Sequence, residues 1–437
     1  MSKKLFLLMV GLVVAVLFTG CASNSSNNGN SSNTETKSTT PASSTTTPTK
    51  TPEKDITLKI MGLTPSHTEN VKAIVTDYEA EHPGVKVDFF IPPDNGAALL
   101  KTRFASGDAP DIFYLSAAEI PAWAEKLEDL SDEPWMPHVL PAGLRNIVLD
   151  GKKVGFPMQI EGNGFVYNKD LFEQAGITSV PTTLTELQQT AEKLEAAGIQ
   201  PFGEAWKNWG FLAHIFGITF VHETDQKGFI DELNKGTKEI KDLTNIDNFF
   251  TLLDLTNDYG LGKESVAYDF TQQQQDFANG KIAMIKQGTW YTTSLTKLNP
   301  DLNMGLFAAP MSDNPADTKL LIAATGNFVV NNESENIEES KAFLTWLHKN
   351  GSKYIVEKMK LAPVFDDISA SELGKLYADM EEYNKTGNTY DNFGTELWPA
   401  GFNTEIAKPL QAYIGGVIDK EEALKQLQEL WSQRVNQ

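Results

Sequence analysis

The folded part of the chain opens with a strand, helix and strand. Residues 56–90 read ITLKIMGLTPSHTENVKAIVTDYEAEHPGVKVDFF. Apolar residues alternate with polar ones from Ile56 to Ile60, which predicts a strand. They then recur at helical spacing from Val71 to Tyr78, until a Pro-Gly pair stops the helix, and they alternate again from Val85 to Phe89. Two strands joined by a helix form the repeating unit of α/β proteins.

Later segments repeat this pattern with recognisable helix starts. Thr183 and Glu186 have the spacing of a capping box, and Gly198 is placed to end the helix that follows. Asp419 and Glu422 open a C-terminal helix in the same way. Strands that alternate with helices of this length predict an α/β architecture with parallel or mixed sheets.

Composition excludes several classes of protein. The chain has 437 residues, with 37 Lys and Arg against 58 Asp and Glu, a net charge of −21. This charge opposes binding to nucleic acid or to anionic lipid through bulk electrostatics. A hydrophobic content of 41% is typical of a chain that folds into packed cores.

The N-terminus has the three parts of an export signal. Lys3 and Lys4 precede an apolar run from Leu5 to Phe18, and the small residues Thr19 and Gly20 follow. The run has 14 residues, fewer than the roughly 20 that a helix needs to cross a bilayer. We therefore predict a cleaved signal peptide over residues 1–20.

Cys21 is the only cysteine, so the chain can form neither an internal disulfide nor a site with several thiolates. The stretch from Leu17 to Cys21 resembles the lipobox of bacterial lipoproteins, although Phe18 departs from the usual aliphatic residue. The resemblance implies that the Cys21 thiol carries palmitate-like acyl chains that anchor the protein on the extracytoplasmic face of the membrane. The alternative is an ordinary secretory signal with an incidental thiol. Residues 21–53 are rich in Ser, Thr and Asn and are predicted to form a disordered tether.

The sequence shows no motif for catalysis or for a cofactor. It lacks a phosphate-binding loop, a GxGxxG fingerprint, a nucleophile elbow and the two-His helical zinc motif. We therefore predict no catalytic residue, no cofactor and no metal site, although a distant pair of glycosidase carboxylates stays open. The histidines are scattered along the chain at His67, His82, His138, His214, His222 and His348.

Four tryptophans lie beside small or turn-forming residues. They are Trp206, Trp209, Trp290 and Trp398. Indole faces stack on sugar rings, while carboxylates and amides bind sugar hydroxyls. Together these tryptophans favour a carbohydrate cleft, but each one alone is equally well explained as a core residue.

Three blocks of sequence resemble the family 1 extracellular solute-binding proteins. The first is KTRFASGDAPDI at residues 101–112. The second is GKKVGFP at 151–157, followed by YNKDLFEQAG at 167–176. The third is FANGKIAM at 277–284, followed by Gly-Thr-Trp at 288–290. The blocks keep the order that the family has.

The resemblance implies a bilobal clamp of the periplasmic-binding-protein type, with two α/β lobes joined by a short hinge of several crossings. Lobe one is expected at residues 54–163 plus 311–358, and lobe two at 164–310 plus 359–437. The crossings are expected near Glu161–Gly164 and near Leu306–Pro310. Such a protein is a monomeric receptor that hands a solute to the membrane permease of an ABC importer.

The resemblance also implies ligand-binding residues. Trp290 and Trp398 correspond to tryptophans that stack on sugars in family members, and Glu161 to an acidic residue that contacts hydroxyls. Asp111 is expected mainly to orient the loop after its strand, with ligand contact as the lesser alternative. The remaining candidates for the cleft are Ser116, Glu119, Gln159, Asn163, Asn327, Trp206 and Trp209.

Three functions remain open at this point. The first is a receptor for a carbohydrate, most simply an oligosaccharide. The second is a family 1 receptor for a non-sugar solute. A phosphorylated solute is disfavoured because only Arg103 and Arg145 precede Arg434. The third and least favoured is a secreted enzyme acting on glycosides, and the protein is predicted not to be an enzyme.

Overall fold

A computed structural model describes residues 56–92, 96–117, 119–392, 394–395 and 397–436. The predicted signal peptide, the predicted lipidation site at Cys21 and the predicted tether lie outside the described residues. Among the residues described, no helix is both long and apolar enough to span a membrane.

Strands and helices alternate along the chain, as the sequence predicts. The strands of the described part are β1 Ile56–Met61, β2 Val85–Phe90, β3 Ile112–Ser116, β4 Val148–Leu149, β5 Lys152–Lys153, β6 Phe156–Asn168, β7 Gln200–Phe202, β8 Ile282–Gly288, β9 Met304–Phe307, β10 Leu320–Val330 and β11 Thr389–Tyr390. The α-helices are α1 Thr68–Glu81, α2 Gly96–Ala105, α3 Pro141–Ile147, α4 Lys169–Gln174, α5 Leu184–Ala196, α6 Trp209–Val221, α7 Gln226–Lys235, α8 Ile246–Asp258, α9 Phe270–Ala278, α10 Thr292–Leu298, α11 Ile337–Lys349, α12 Lys375–Thr386, α13 Phe402–Glu405, α14 Ala407–Ile414 and α15 Lys420–Val435. Short 3₁₀ turns and a π-helix at Ser352–Lys358 complete them.

The opening segment folds as its periodicity predicts. β1, α1 and β2 follow one another, and β1 pairs in parallel with β2. At the start of α5, the Thr183 hydroxyl accepts from the Glu186 amide at 3.1 Å, and the Glu186 carboxylate accepts from the Thr182 amide at 2.7 Å. Asp419 caps α15 by accepting from the Glu422 amide at 2.9 Å.

Nine strands form one mixed sheet. The order is β2-β1-β3-β10-β6-β8-β7, with β11 beside β10 and β9 beside β6. β1 is parallel to β2 and β3, and β7 is parallel to β8. The pairs β10–β3, β10–β6, β6–β8 and β6–β9 are antiparallel. This confirms the predicted α/β class with a mixed sheet.

β6 is the strand that joins the two parts of the sheet. From Phe156 to Asn163 it pairs with β10, and from Asn163 to Asn168 it pairs with β8 and β9. Asn163 is opposite both Leu321 of β10 and Gly288 of β8. β6 therefore changes its partners within the segment where the first crossing is predicted.

The described residues form two hydrophobic cores. The first contains Phe156 and Ile160 of β6, with Tyr78 of α1. The second contains Phe165 of β6, with Phe216 of α6. A strand with period two offers alternate residues to opposite faces, which is how one strand supplies both cores.

The lobe boundaries stay a proposal, and two sets of contacts favour an adjustment. Thr318 Oγ1 donates to the Thr182 carbonyl at 2.7 Å, and the Leu184 amide donates to the Ser312 carbonyl at 3.1 Å. We propose from these bonds that the second crossing lies in β10 instead of near residues 306–310. Residues 359–380 also supply side chains to the first core, although they are predicted in lobe two.

Candidate ligand-binding cleft

The C-terminal ends of strands β3 and β8 face each other along β6. β3 ends at Ser116, which is opposite Gly326, and Gly326 is in turn opposite Gln159 of β6. β8 approaches from the other side and ends at Gly288, opposite Asn163. From Gln159 to Asn163 is four residues of strand, or roughly 13 Å. Ligands of α/β proteins bind outside the carboxyl ends of strands, so this segment marks the candidate site.

The central strand offers polar side chains at this place. Gln159 and Glu161 alternate with Ile160, which is buried in the first core. Gln159 Nε2 donates to Thr325 Oγ1 at 2.7 Å, and Thr325 donates to the Glu161 carboxylate. Thr325 lies where the register of β10 shifts. The irregularity therefore places one hydroxyl between the two polar residues of β6.

Burial raises the pKa of Glu161 to about 7, and the hydrogen bond from Thr325 opposes this shift. Two tyrosines are close enough to sense its charge. Burial first, and then the Glu161 carboxylate, raises the pKa of Tyr114 and of Tyr377. The carboxyl group is therefore poorly hydrated and gains from any hydroxyl that a ligand donates to it.

Tyr114 approaches β10 closely because position 326 is a glycine. A Cβ built on Gly326 would lie 1.7 Å from the Tyr114 hydroxyl oxygen. The Tyr114 ring also packs edge-on against Phe328, with ring centroids 5.4 Å apart. The phenol is thereby fixed over the strand that carries Thr325.

Ser116 and Glu119 form a small polar unit at the end of β3. The Glu119 carboxylate accepts from the Ser116 amide at 2.9 Å and from its hydroxyl at 2.7 Å. A cavity of about 320 Å³ opens beside them. Its lining includes Met61, Leu63, Pro92, Tyr114, Ser116 and Glu119. The predicted pair is therefore together, at the carboxyl ends of parallel strands.

Trp290 lies just after β8 and packs against both hydrophobic cores. Its Nε1 donates to Gln287 Oε1 at 3.0 Å, and its ring centroid is 5.4 Å from that of His214. A Cβ on Gly288 would meet Trp290 ring carbons at 2.3 Å and the Gly162 carbonyl oxygen at 2.2 Å. Glycine at 288 therefore lets the indole lie close to the β6 backbone.

A buried polar network connects β8 with β6 next to Trp290. Lys286 Nζ donates to Asn163 Oδ1, and the Glu204 carboxylate accepts from the Lys286 amide at 2.9 Å. Burial lowers the pKa of Lys286 and raises that of Glu204. Burial, with the Lys286 charge nearby, lowers the pKa of His214 to about 4, so that its imidazole is neutral at pH 7. Asn163 is thus held by protein groups at the end of β8.

Adding a methyl group at position 288 tests this packing. We expect Gly288→Ala to lower the free energy of unfolding by about 1–3 kcal/mol, because the Gly162 carbonyl is backbone and cannot move aside. Chemical denaturation measures this loss. Gly210→Ala is the control, since its added methyl would meet only Asn208 Oδ1, at 3.3 Å. Equal stability of the two variants would contradict the close approach.

Two of the predicted stacking residues lie in the second hydrophobic core, and their stacking on a ligand stays a prediction. Trp206 is fully buried in the second core. Trp398 is also buried there, with its ring centroid 5.2 Å from that of Phe220 and 5.3 Å from that of Phe402. Three phenylalanine rings pack against the Trp398 indole, and the residue is 9% exposed. Trp209 differs from both, because it is 45% exposed at the start of α6.

Asp111 and Asn327 also lie away from the candidate site. Asp111 precedes β3, at the opposite end from Ser116, and its carboxylate accepts from the Lys59 amide at 2.7 Å and from the Ser334 hydroxyl. These hydrogen bonds orient the start of β3 instead of the loop after it. Asn327 is opposite Leu115, so its side chain lies on the other face of β10 from Gly326.

Sequence reasoning missed several residues that the fold brings to the site. They are Tyr114, Thr289, Thr325 and Tyr377. The hydroxyl of buried Thr289 accepts from the Gly162 amide at 3.1 Å. Tyr114 had a usable signal, because it precedes Ser116 by two residues in a predicted strand and shares its face. Thr325 and Tyr377 had none, since their positions depend on a register shift and on helix packing.

The bacterial extracellular solute-binding protein family matches residues 64–354 of the chain, which is more than half of it. The chain belongs to this family. The resemblance of the three sequence blocks is confirmed.

Curated relatives of this solute-binding protein have names that refer to sugars. It is 23% identical over 270 residues to a multiple sugar-binding protein of Streptococcus mutans, covering 60% of this chain and 64% of that relative. The match thus spans just under two thirds of that protein. It is also 22% identical over 395 residues to the melibiose/raffinose/stachyose-binding protein MelE of Bacillus subtilis, covering 87% of this chain and 85% of MelE.

Solved structures establish the fold of this solute-binding protein. Apo RafE from Streptococcus pneumoniae superposes with a TM-score of 0.75 at 21% identity, covering 88% of this chain and 99% of RafE. RafE in complex with raffinose gives a TM-score of 0.70 at 20% identity, covering 87% and 99%. The predicted periplasmic-binding-protein fold is confirmed.

Proposed function

We propose that this solute-binding protein binds a carbohydrate, an oligosaccharide, between its two lobes and delivers it to the permease of an ABC importer. One observation supports the proposal: the Trp290 ring lies beside the Gly162 carbonyl of β6, and the same strand carries the polar side chains of Gln159 and Glu161. The sugar-binding names of the relatives support the same class of ligand. Among the residues that the structure describes, no feature of the cleft favours a non-sugar solute or an enzyme.

Each group has a task in this proposal. The Trp290 ring stacks on the flat face of a sugar, and the Glu161 carboxylate accepts hydrogen bonds from hydroxyls. Ser116 and Glu119 contact the ligand from the β3 side. A ligand that contacts both lobes binds the closed arrangement more tightly than the open one, and this difference in affinity drives closure. The closed form is then what the permease recognises.

We propose further that the protein acts as a monomer on the extracytoplasmic face of the membrane, held there by acyl chains on Cys21. Two chains are the number that stable anchoring requires. The predicted tether would let the receptor reach the permease without leaving the surface.

A thermal-shift screen of the purified full-length protein tests the ligand class. A ligand that binds only the folded state raises the melting temperature. We expect oligosaccharides of one class to produce a shift, and amino acids and polyol phosphates to produce none. A shift with a control solute alone would overturn the carbohydrate assignment. Release of a cleaved sugar during incubation would instead indicate an enzyme.

Glu161 makes sugar affinity depend on pH. Its pKa is raised to about 7, so the carboxyl loses its proton between about pH 6 and pH 8. Hydrogen bonds to the charged form are roughly twice as strong as those to the neutral form, so affinity should rise with pH across this range. Stability without ligand should move the other way, because the folded protein binds this proton more tightly than the unfolded chain does.

Calorimetric titration at a series of pH values measures both parts of this prediction when it is combined with denaturation. The control is Glu161→Gln, which keeps the side-chain size and does not titrate. Its affinity should stay flat across the range in which the wild type changes. If the two proteins show the same pH profile, another group is responsible and the role of Glu161 is wrong.

A further inference from the structure

We propose a site for a divalent transition-metal ion, formed by His138, His348, Asp366 and Asp367. It lies outside the cleft, and it does not depend on the proposed function. The sequence places the two histidines 210 positions apart, which is why it predicted no metal site. The fold brings both imidazoles and both carboxylates together.

The spacing of His138, Asp366 and Asp367 fits one bound ion, and His348 lies next to Asp367. His138 Nδ1 lies 2.9 Å from Asp366 Oδ1 and 3.7 Å from Asp367 Oδ2. His348 Nε2 lies 3.1 Å from Asp367 Oδ1. The ligand atoms of His138, Asp366 and Asp367 are all within 4.8 Å of one another. Ligands bound at about 2.0–2.2 Å around a tetrahedral zinc ion are separated by roughly 3.4 Å, so the groups need to move little.

The backbone holds the group in place before any ion binds. The Asp366 amide donates to the His138 carbonyl at 2.9 Å, and Val139 forms an isolated β-bridge with Phe365. His348 lies in the last turn of α11 and packs edge-on against Phe365, with ring centroids 4.7 Å apart. The two imidazole rings are nearly parallel, with an angle of 21° between them. A preformed arrangement of this kind reduces the ordering needed for binding.

The chemistry of the group selects the ion. Two imidazoles with two carboxylates suit Zn²⁺, Co²⁺ or Ni²⁺ better than Ca²⁺ or Mg²⁺, which prefer oxygen ligands throughout. The side chains of His138 and Asp366 are 43% and 60% exposed, so an ion can enter from solvent.

The position of the site gives the ion a structural task. It would tie the end of α11 to the segment that carries Asp366 and Asp367, and both aspartates also line a cavity of about 410 Å³. The same segment reaches the hinge, since the Ile160 amide of β6 donates to the Ala362 carbonyl at 2.9 Å. Binding of the ion should therefore stabilise the folded protein.

Calorimetric titration of Zn²⁺ into the tag-free, full-length protein, stripped of metal with a chelator, tests the site. We expect one ion per chain and a rise in melting temperature. His348→Asn and Asp366→Asn should each weaken binding by on the order of 10- to 100-fold, the loss seen even for outer-shell partners. Asp366→Asn is the safer variant for folding, because that side chain is exposed and keeps its size.

His82→Asn is the matched control. It removes an imidazole that stacks on Tyr78, away from the group, and should leave zinc binding unchanged. Replacing Zn²⁺ by Co²⁺ provides a second readout, since nitrogen and oxygen ligands in a tetrahedral site give strong visible absorption that Asp366→Asn should diminish. The proposal is overturned if no ion binds at one equivalent, or if the Asp366 and His82 variants bind zinc equally well.

Discussion

Trp290→Ala should weaken carbohydrate binding by roughly 30-fold or more, which corresponds to about 2 kcal/mol, the lower limit for a buried aromatic anchor at a binding site. The reason is the place of the ring, between the two cores and beside the polar segment of β6. Truncation removes the only proposed stacking surface on the β8 side of the cleft. Calorimetric titration with the sugar identified by the thermal-shift screen measures the loss.

Trp290→Phe is the companion variant. It keeps an aromatic face but removes the hydrogen bond to Gln287. We expect it to retain more affinity than the alanine variant. Melting curves without sugar show whether each variant is folded before its affinity is compared. Unchanged affinity in a folded Trp290→Ala protein would rule out stacking by this residue.

In contrast to Trp290→Ala, Trp398→Ala should strongly lower the stability of the fold and change carbohydrate affinity little. Its ring contacts the rings of Phe216, Phe220 and Phe402 in the second core. Removing a tryptophan from such a place leaves a cavity and lowers the free energy of unfolding by about 3–5 kcal/mol. Denaturant titration measures this loss, and sugar titration of the folded protein measures affinity.

Trp209→Ala is the control for stability, because that ring is 45% exposed. A surface substitution of this kind changes the free energy of unfolding by roughly 0.5 kcal/mol. A Trp398→Ala protein that stays as stable as the wild type but loses sugar affinity would restore the stacking role that the family resemblance implies.

The sequence predicts the fold because its signals are local. Alternation in residues 56–60 and 85–89, helical spacing in 71–78 and the turn between them are all properties of neighbouring residues. The order of the three sequence blocks indicates the family. The family resemblance in turn predicts that Trp290 and Glu161 bind the ligand. These predictions require no knowledge of which distant segments meet.

The other site predictions depend on tertiary packing, which the sequence does not display. Trp290 and Trp398 both lie beside small or turn-forming residues, yet Phe216 and Phe220 of the distant helix α6 pack against Trp398. Asp111 has a side chain that could bind sugar hydroxyls, but it precedes β3 and therefore lies at the opposite end of that strand from Ser116. His138 and His348 are far apart in sequence, and both come to Phe365, because Val139 pairs with it and the His348 ring packs against its ring.

The paired course of β6 and β10 has a mechanical consequence. From Phe156 to Asn163 the two strands form a ribbon of inter-strand hydrogen bonds, interrupted near Thr325. Such a ribbon flexes easily out of its own plane, whereas sliding or swivelling within the plane would stretch its hydrogen bonds. The receptor is therefore expected to open and close by hinge bending at this ribbon. Glu161 and Gln159 lie on β6 within this ribbon. Bending that brings the two lobes together therefore also changes the spacing of the groups proposed to bind the ligand.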